Sequence, residues 1–477
     1  MSTETHASIL PETTDSQRTL ISKMLTASVG QMQGIVCDQV GGYAAAASSN
    51  KGFTNRMRFK AHAATRNLRL YFSGVKQGTY PNEMVNFDNS FTVKVAVELA
   101  SSGSPSGVTI PVTFGGVRVG TCDPGGMLVS DPIGISLADG DVFFLRVMTN
   151  ATGTYVPINR YISGVTASTG EGVTSPAADA VDSGTITSFD WGSAFAPCAI
   201  VGDTHGRQGV IAFGTSITAG AHDRGYDTNV RGWLERAAVG RIGYVNTAFS
   251  SETVQNQIKQ QRLYNRLILA RFAKAAILDT GTNDFYVASR SLAQLQADYQ
   301  TLIDLLRAAG IPKIIGCTLP PRNTSTDGWQ TAGNQTVTAN ETNRTEFNAW
   351  LTGSSSPVDV VIDVLSSIEN SVGIWKPNAA TVARTTGAGS TTTVVVDSTS
   401  SMTVNAYAGK VLSFGGVYSL IQANTASTLT LMTALGSTPG TGVAYSILDT
   451  YTPDGVHPAT IGHIAMGAAA ASVFAAL

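Results

Sequence analysis

Three separated stretches of this chain carry side chains able to do acyl chemistry together. Phe213-Gly-Thr-Ser-Ile-Thr-Ala219 supplies a serine behind a short apolar run. Asp279-Thr-Gly-Thr-Asn-Asp284 supplies an asparagine behind another, and Asp454-Gly-Val-His457 supplies a carboxylate and an imidazole. A serine hydroxyl is a weak nucleophile at neutral pH. It needs a base to take its proton, an acid to hold that base in one tautomer, and donors for the charge that develops on the attacked carbonyl oxygen. The three stretches hold one of each, and the pattern predicts cleavage of an ester.

Each residue also has an ordinary reading. Ser216 alone reads as a residue of a strand-to-helix turn. Asn283 could close a turn or cap a helix; as an oxyanion donor its amide would lower the barrier by about 3 kcal/mol. Three-residue spacing across a turn lets Asp454 reach one nitrogen of His457 while the other faces Ser216. Of the remaining histidines, His6 is terminal, His62 falls in a β-rich region, His205 and His222 fall in loops near Ser216, and His463 falls on a C-terminal helix. His222 is the rival base, but no acid sits near it at comparable turn spacing.

The elements that must position these groups follow from periodicity. Between about 208 and 376, short apolar strands alternate with helices: Gly209–Phe213, a helix at Asn229–Val239, Ile242–Asn246, a helix at Thr253–Ala270, Lys274–Asp279, a helix at Ser291–Ala308, Lys313–Leu319 and Asp359–Val364. Alternation with continuous apolar strands predicts an α/β domain whose parallel sheet is covered on both faces. Reacting groups gather at the carboxyl ends of such strands. From about 46 to 200 serial strands without helices predict an all-β sandwich or jelly roll. Residues 377–448 return to Thr/Val/Gly-rich strands and predict a small all-β insertion beside the active site. In the N-terminal segment, 1–45, the spacing of Ser16–Val36 predicts one amphipathic helix.

Four stretches resemble, in order, the motif blocks of the SGNH (GDSL-type) hydrolase family: Phe213–Thr218, Asn246–Thr253, Gly281–Asp284 and Asp454–His457. The resemblance covers roughly 208–376 and 449–477 and implies a flavodoxin-like three-layer hydrolase domain at 201–376 and 449–477. It implies Ser216 as nucleophile, His457 as base and Asp454 as acid. The oxyanion hole would be formed by the backbone N–H groups of Ser216 and Ser251 with the Asn283 amide. Two positions depart from the family pattern. Thr215 stands where an Asp usually precedes the nucleophile, and Ser251 stands where a glycine supplies a backbone N–H.

The family takes lipid, thioester and carbohydrate esters, so the fold cannot choose among them. β-rich modules on both sides of the core, and polar Ser/Thr/Asn/Tyr chemistry with no broad apolar lid, favour an acylated poly- or oligosaccharide. The alternatives are a GDSL-type lipase or esterase on small acyl or lipid esters, and a non-catalytic glycan-binding tail protein. Arg322, after the strand ending at Leu319, is the expected substrate contact; Trp329 is another candidate, and Trp233 reads as core. The insertion resembles small β modules of bacteriophage tail fibres and tailspikes, which implies a virion-tail or extracellular place of action, with a cytoplasmic one as the alternative, and a homo-oligomer, a trimer if tail-associated.

The mechanism needs no cofactor and no metal. The chain has 477 residues, 13% of them charged, and a net charge of -2, which suggests no nucleic-acid partner. The N-terminus lacks the pattern of a signal peptide, and no apolar run is long enough for a membrane span. Cys37, Cys122, Cys198 and Cys317 are scattered and fit neither zinc-ligand spacing nor a disulfide framework.

Overall fold

A computed structural model describes residues 33–40, 43–47, 52–78, 84–151, 153–159, 170–174, 178–186, 195–223, 231–377 and 381–477. Its centre is a six-stranded parallel sheet in the spatial order Asp38–Val40, Tyr244–Asn246, Val210–Gly214, Ala275–Asp279, Ile314–Cys317, Val360–Ile362. Leaving aside the edge strand Asp38–Val40, the chain order across the sheet is 2-1-3-4-5, the flavodoxin-like arrangement.

The two-residue period of a strand explains how both faces are covered. Ile211, Phe213, Ala276 and Leu278 point into one core with Leu263, Leu267, Leu295, Tyr299, Leu302, Phe347 and Leu351. These last come from helices Gln260–Ala270, Leu292–Ala308 and Glu341–Thr352. The intervening Val210, Ala212, Ala275 and Ile277 point into a second core with Trp233, Leu234, Met466, Ala470 and Phe474, from helices Gly232–Ala238 and Thr460–Ala475. The helix Leu292–Ala308 starts on a full capping box between Ser291 and Gln294 and stops at Gly310, whose φ of 83° ends it.

Apart from Asp38–Val40 and two strand pairs, Tyr43–Ala47 with Tyr155–Asn159 and Val75–Gln77 with Met84–Asn86, the described strands before residue 204 form two antiparallel sheets. One pairs Gln33–Ile35, Ala199–Asp203, Thr65–Ser73, Met127–Val129 and Ile133–Leu137. The other contains Val119–Cys122, Phe91–Ser101, Val142–Ala151, Gly52–Lys60 and Gly172–Thr174, with Ser104–Pro111 on Phe91–Ser101. Phe72 from the first sheet and Phe91 from the second both pack on Phe195, at 5.6 and 5.7 Å between ring centres. This core is continuous with one face of the parallel sheet, where Tyr71 meets Phe272 at 5.4 Å.

Residues 381–448 form a separate six-stranded antiparallel sheet around Val395, Leu412, Ile421, Leu429, Leu431 and Ile447. Tyr418 of this sheet lies against Gly328 so closely that a Cβ there would overlap its ring.

Several sequence expectations are corrected by the structure. The helix expected over Ser16–Val36 lies outside the described residues as far as 32, and within them Gln33–Ile35 is a strand. Gly34 packs against Gln208 with no room for a side chain, and Ile35, Val36 and Cys37 are buried in succession, which a one-faced helix cannot do. Asp38–Val40 then joins the parallel sheet, so the 1–45 segment feeds both β systems. The boundary expected at 200 cuts the strand Ala199–Asp203, which belongs to the antiparallel sheet. The helix expected over Thr253–Ala270 is two, Val254–Gln257 and Gln260–Ala270. All four cysteines are buried thiols, Cys317 in the strand where it was expected.

Candidate active site

Ser216 sits two residues beyond the strand Val210–Gly214, in a tight turn closed by bonds from Ala219 N to Thr215 O, Gly220 N to Ile217 O and Ala221 N to Ser216 O. The turn is held from two neighbouring strand ends. Asn246 Nδ2 donates to Thr218 O at 2.8 Å, and Thr218 Oγ1 donates to Asp279 Oδ2 at 2.8 Å. The indole N–H of Trp233 also donates to Asp279 Oδ2, at 2.9 Å. Burial pushes the Asp279 carboxyl up, and the hydrogen bonds from Thr218 and Trp233 only partly offset this. Thr215, where a carboxylate was expected from the family pattern, is buried; its Oγ1 accepts from Ile217 N.

His457 Nε2 lies 2.8 Å from Ser216 Oγ, and His457 Nδ1 lies 2.6 Å from Asp454 Oδ2. The other Asp454 oxygen accepts from the backbone N–H groups of Val456 and His457 at 2.9 and 2.8 Å. The three residues stand in line despite 241 positions between Ser216 and His457. Burial would raise the Asp454 carboxyl, but hydrogen bonds and charge from His457, with a contribution from His222, hold it well below the usual carboxylate range. Its side chain is still 36% open to solvent, so screening limits its contribution to stability.

The loop carrying this pair is fixed at Gly455, whose φ is 77°. The Gly455 carbonyl accepts from Asn323 N at 3.0 Å and from the Trp375 indole at 3.1 Å. A Cβ at Gly455 would collide with Asn323 O and touch Trp329. Trp329 is therefore packed beneath the loop, with its indole N–H on Asn323 Oδ1, and does not face substrate as expected. Tyr418, Gly328, Trp329 and Gly455 make a continuous chain of contacts from the β insertion to the Asp454–His457 loop.

Asn283 lies on the short helix Thr282–Tyr286 that follows the strand Ala275–Asp279. Its Nδ2 donates to Glu252 O at 3.1 Å, which sets it beside Ser251. Ser251 has a φ of 60°, the left-handed conformation a glycine would favour. Two buried bonds hold this loop: Asp284 accepts from Val254 N at 3.0 Å, and the Glu252 carboxylate pairs with Arg266 at 2.6 Å. The Arg266 guanidinium lies over the rings of Phe213 and Phe249. Burial pushes the Asp284 carboxyl up to about 7, against bonds from Val254 and Gln255 that lower it.

Arg322 lies over the Tyr286 ring at 4.5 Å, on the same short helix as Asn283. His222 was set aside for want of a nearby acid in sequence, yet its Nε2 is 3.5 Å from Asp454 Oδ2. His463 is buried on the closing helix, where Nδ1 accepts from Trp233 N; burial pushes its imidazole down to about 4. His62 contacts Asp38 at 3.0 Å, far along the chain from the other groups, and His6 lies outside the described residues. The fastenings at Asn246, Thr218, Asp279 and Arg266 escaped the sequence reading, although Asn246 and Asp279 head two of the motif stretches.

A hydroxyl, an imidazole and a carboxylate in this line can pass a proton from oxygen to nitrogen while the carboxylate stabilises the resulting cation. Among the described residues no helix is long and apolar enough to cross a membrane.

Residues 212–381 match the GDSL-like lipase/acylhydrolase family. Solved structures similar to this chain include a lipolytic protein of the G-D-S-L family from Desulfitobacterium hafniense DCB-2. It is 19% identical over 35% of this chain and 84% of that one, with a TM-score of 0.26. Another is a family two carbohydrate esterase from Clostridium thermocellum in complex with cellohexaose, 13% identical over 72% of this chain and 94% of that one, with a TM-score of 0.25. A third is a carbohydrate esterase family 3 protein from Talaromyces cellulolyticus, 15% identical over 36% and 89%, with a TM-score of 0.21. No curated protein matches the chain.

Proposed function

Because the chain carries a GDSL-like lipase/acylhydrolase domain, we propose that it is a serine esterase removing O-acyl groups, acetyl above all, from a carbohydrate. The observation that carries the reading is the pair of contacts at His457, 2.8 Å to Ser216 Oγ and 2.6 Å to Asp454 Oδ2. His457 takes the Ser216 proton as Oγ attacks the acyl carbonyl. The oxyanion is met by the N–H groups of Ser216 and Ser251 and the Asn283 amide. The sugar hydroxyl leaves with the proton from His457, and water, deprotonated by the same imidazole, releases the acid from the acyl-enzyme.

In this reading the catalytic unit is 204–376 with 449–477, and the β systems on either side of it engage the glycan. Arg322, held over the Tyr286 ring, offers a planar cation whose N–H groups suit the hydroxyls of a sugar. The tailspike-like sequence of the insertion supports action at a virion tail on surface glycans.

Acetate release from acetylated bacterial polysaccharides tests the proposal, with wild type and Ser216→Ala compared. Release by wild type and none by the variant is expected. Hydrolysis of long-chain lipid esters without acetate release would put the lipase reading in its place, and polysaccharide binding without any turnover would leave a glycan-binding protein.

A further inference from the structure

His222 brings a second imidazole to the acid that His457 uses. Its Nε2 is 3.5 Å from Asp454 Oδ2, the oxygen that lies 2.6 Å from His457 Nδ1. The two rings are 4.8 Å apart and tilted by 34°. One ligand atom from each of the three residues falls within 4.8 Å of the others. We propose that His222, Asp454 and His457 form a site for a divalent transition-metal ion such as Zn2+, and that occupancy reversibly stops hydrolysis. The metal site stands on geometry alone; the inhibition rests on the esterase reading above.

Two imidazoles and one carboxylate are a zinc donor set that leaves a fourth position for water. Donor atoms around a tetrahedral ion with bonds of about 2.1 Å lie roughly 3.4 Å apart. The His222–Asp454 separation already meets that spacing, and the Asp454–His457 pair must open by less than roughly 1 Å. His222 is held in place. It has a φ of 64°, and the adjacent Asp223 is buried, accepting from Gly232 N and pairing with Arg236 at 2.9 Å. The side chains of His222 and His457 are 21% exposed and that of Asp454 36%, so an ion can enter from solvent. Nitrogen donors disfavour Mg2+ and Ca2+, which prefer all-oxygen shells.

Inhibition follows from the tautomer. In the working state His457 carries its proton on Nδ1, facing Asp454, and Nε2 is free to accept from Ser216. A metal bonded to Nδ1 replaces that proton, which solvent returns to Nε2, while the ion gives up one water for each protein donor. The ring stays neutral, but its N–H now points at Ser216 Oγ, and an imidazole that donates to serine cannot deprotonate it.

The test is calorimetric titration of Zn2+ into untagged full-length protein, beside ester assays with and without the ion. Wild type and Ser216→Ala should bind one ion with the same Kd. His222→Asn, chosen because Asn tolerates a positive φ, should weaken binding by at least about tenfold. Zn2+ should inhibit wild-type ester hydrolysis, EDTA should restore it, and His222→Asn should resist the ion. His222→Gln serves as a second variant if the first is misfolded by circular dichroism. Equal Zn2+ affinity in wild type and a folded His222 variant would overturn the proposal, as would equal inhibition by Mg2+. Calorimetry reads the site even if no ester is turned over, so failure of the esterase reading is seen separately.

Discussion

Thr218 Oγ1 donates to Asp279 Oδ2 across 2.8 Å, tying the turn that carries Ser216 to the end of the neighbouring strand. Asp279 lies opposite Gly214 in the register of the parallel sheet, so strand pairing itself brings the carboxylate under the turn. This fastening comes from the side chain of a second strand, close to the turn position where Thr215 replaces the usual carboxylate.

Asp279 only accepts hydrogen bonds here, from Thr218 and Trp233. An asparagine at this position would offer an equivalent carbonyl oxygen, whereas an alanine would strand the buried Trp233 N–H, at about 1–3 kcal/mol, and leave Thr218 only its longer bond to the Asp279 backbone carbonyl at 3.3 Å. Asp279→Asn should therefore keep a near-wild-type melting temperature and ester turnover, and Asp279→Ala should lose several degrees and most activity. Calorimetric melting with a chromogenic acetyl ester assay checks both; equal behaviour of the two variants would contradict the fastening role.

Ser251 occupies a left-handed conformation that strains a residue with a Cβ by about 1–2 kcal/mol. Ser251→Gly relieves that strain and keeps the backbone N–H, so kcat should stay within about twofold of wild type, while the added freedom of the unfolded glycine offsets part of the stability gain. Ser251→Val should lower stability by roughly 1–2 kcal/mol and reduce kcat, because a β-branched side chain resists this φ. Steady-state kinetics and denaturant melts read the two effects, and a fully active Ser251→Val would show that turnover does not depend on this backbone conformation.

Asp284 gives a pH signature. Its carboxyl is raised to about 7 in the folded protein, mainly by burial, so the folded state holds a proton that the unfolded state releases above about 4. Its contribution is thus complete below about pH 4 and lost as pH rises through about 7, with a slope of at most roughly 1.4 kcal/mol per pH unit. Asp284→Asn removes this slope. The stability difference between wild type and variant, followed by denaturant melts from about pH 4 to 8, should change steadily across that window and level off above it. A difference independent of pH would contradict the assignment.

What was legible in the sequence were features with a strong local signal. Apolar runs broken by Gly and Pro located the parallel strands, and the stop signal of Gly310 followed by Pro312 located the end of the helix Leu292–Ala308. The stretches holding Ser216, Asn283 and Asp454–His457 were visible because each sits at a strand end or before a helix. The helix Glu341–Thr352 was missed because its surface is polar and its buried face includes Arg344 and Asn348, held by Glu341, Glu369 and the Leu319 backbone. Asp38–Val40 was missed because a three-residue edge strand has too little pattern to read. His222 was dismissed on spacing along the chain; only folding brings it to an acid from the far end of the sequence, and no local rule reports that.

Covalent labelling with a fluorophosphonate, followed by peptide mass spectrometry, addresses the central assignment most directly, because the probe reacts only with a serine oxygen that has a working base. A single adduct on the peptide containing Ser216 is expected, absent in Ser216→Ala and strongly slowed in His457→Ala. An adduct on a different serine, or undiminished ester turnover by Ser216→Ala, would contradict the account.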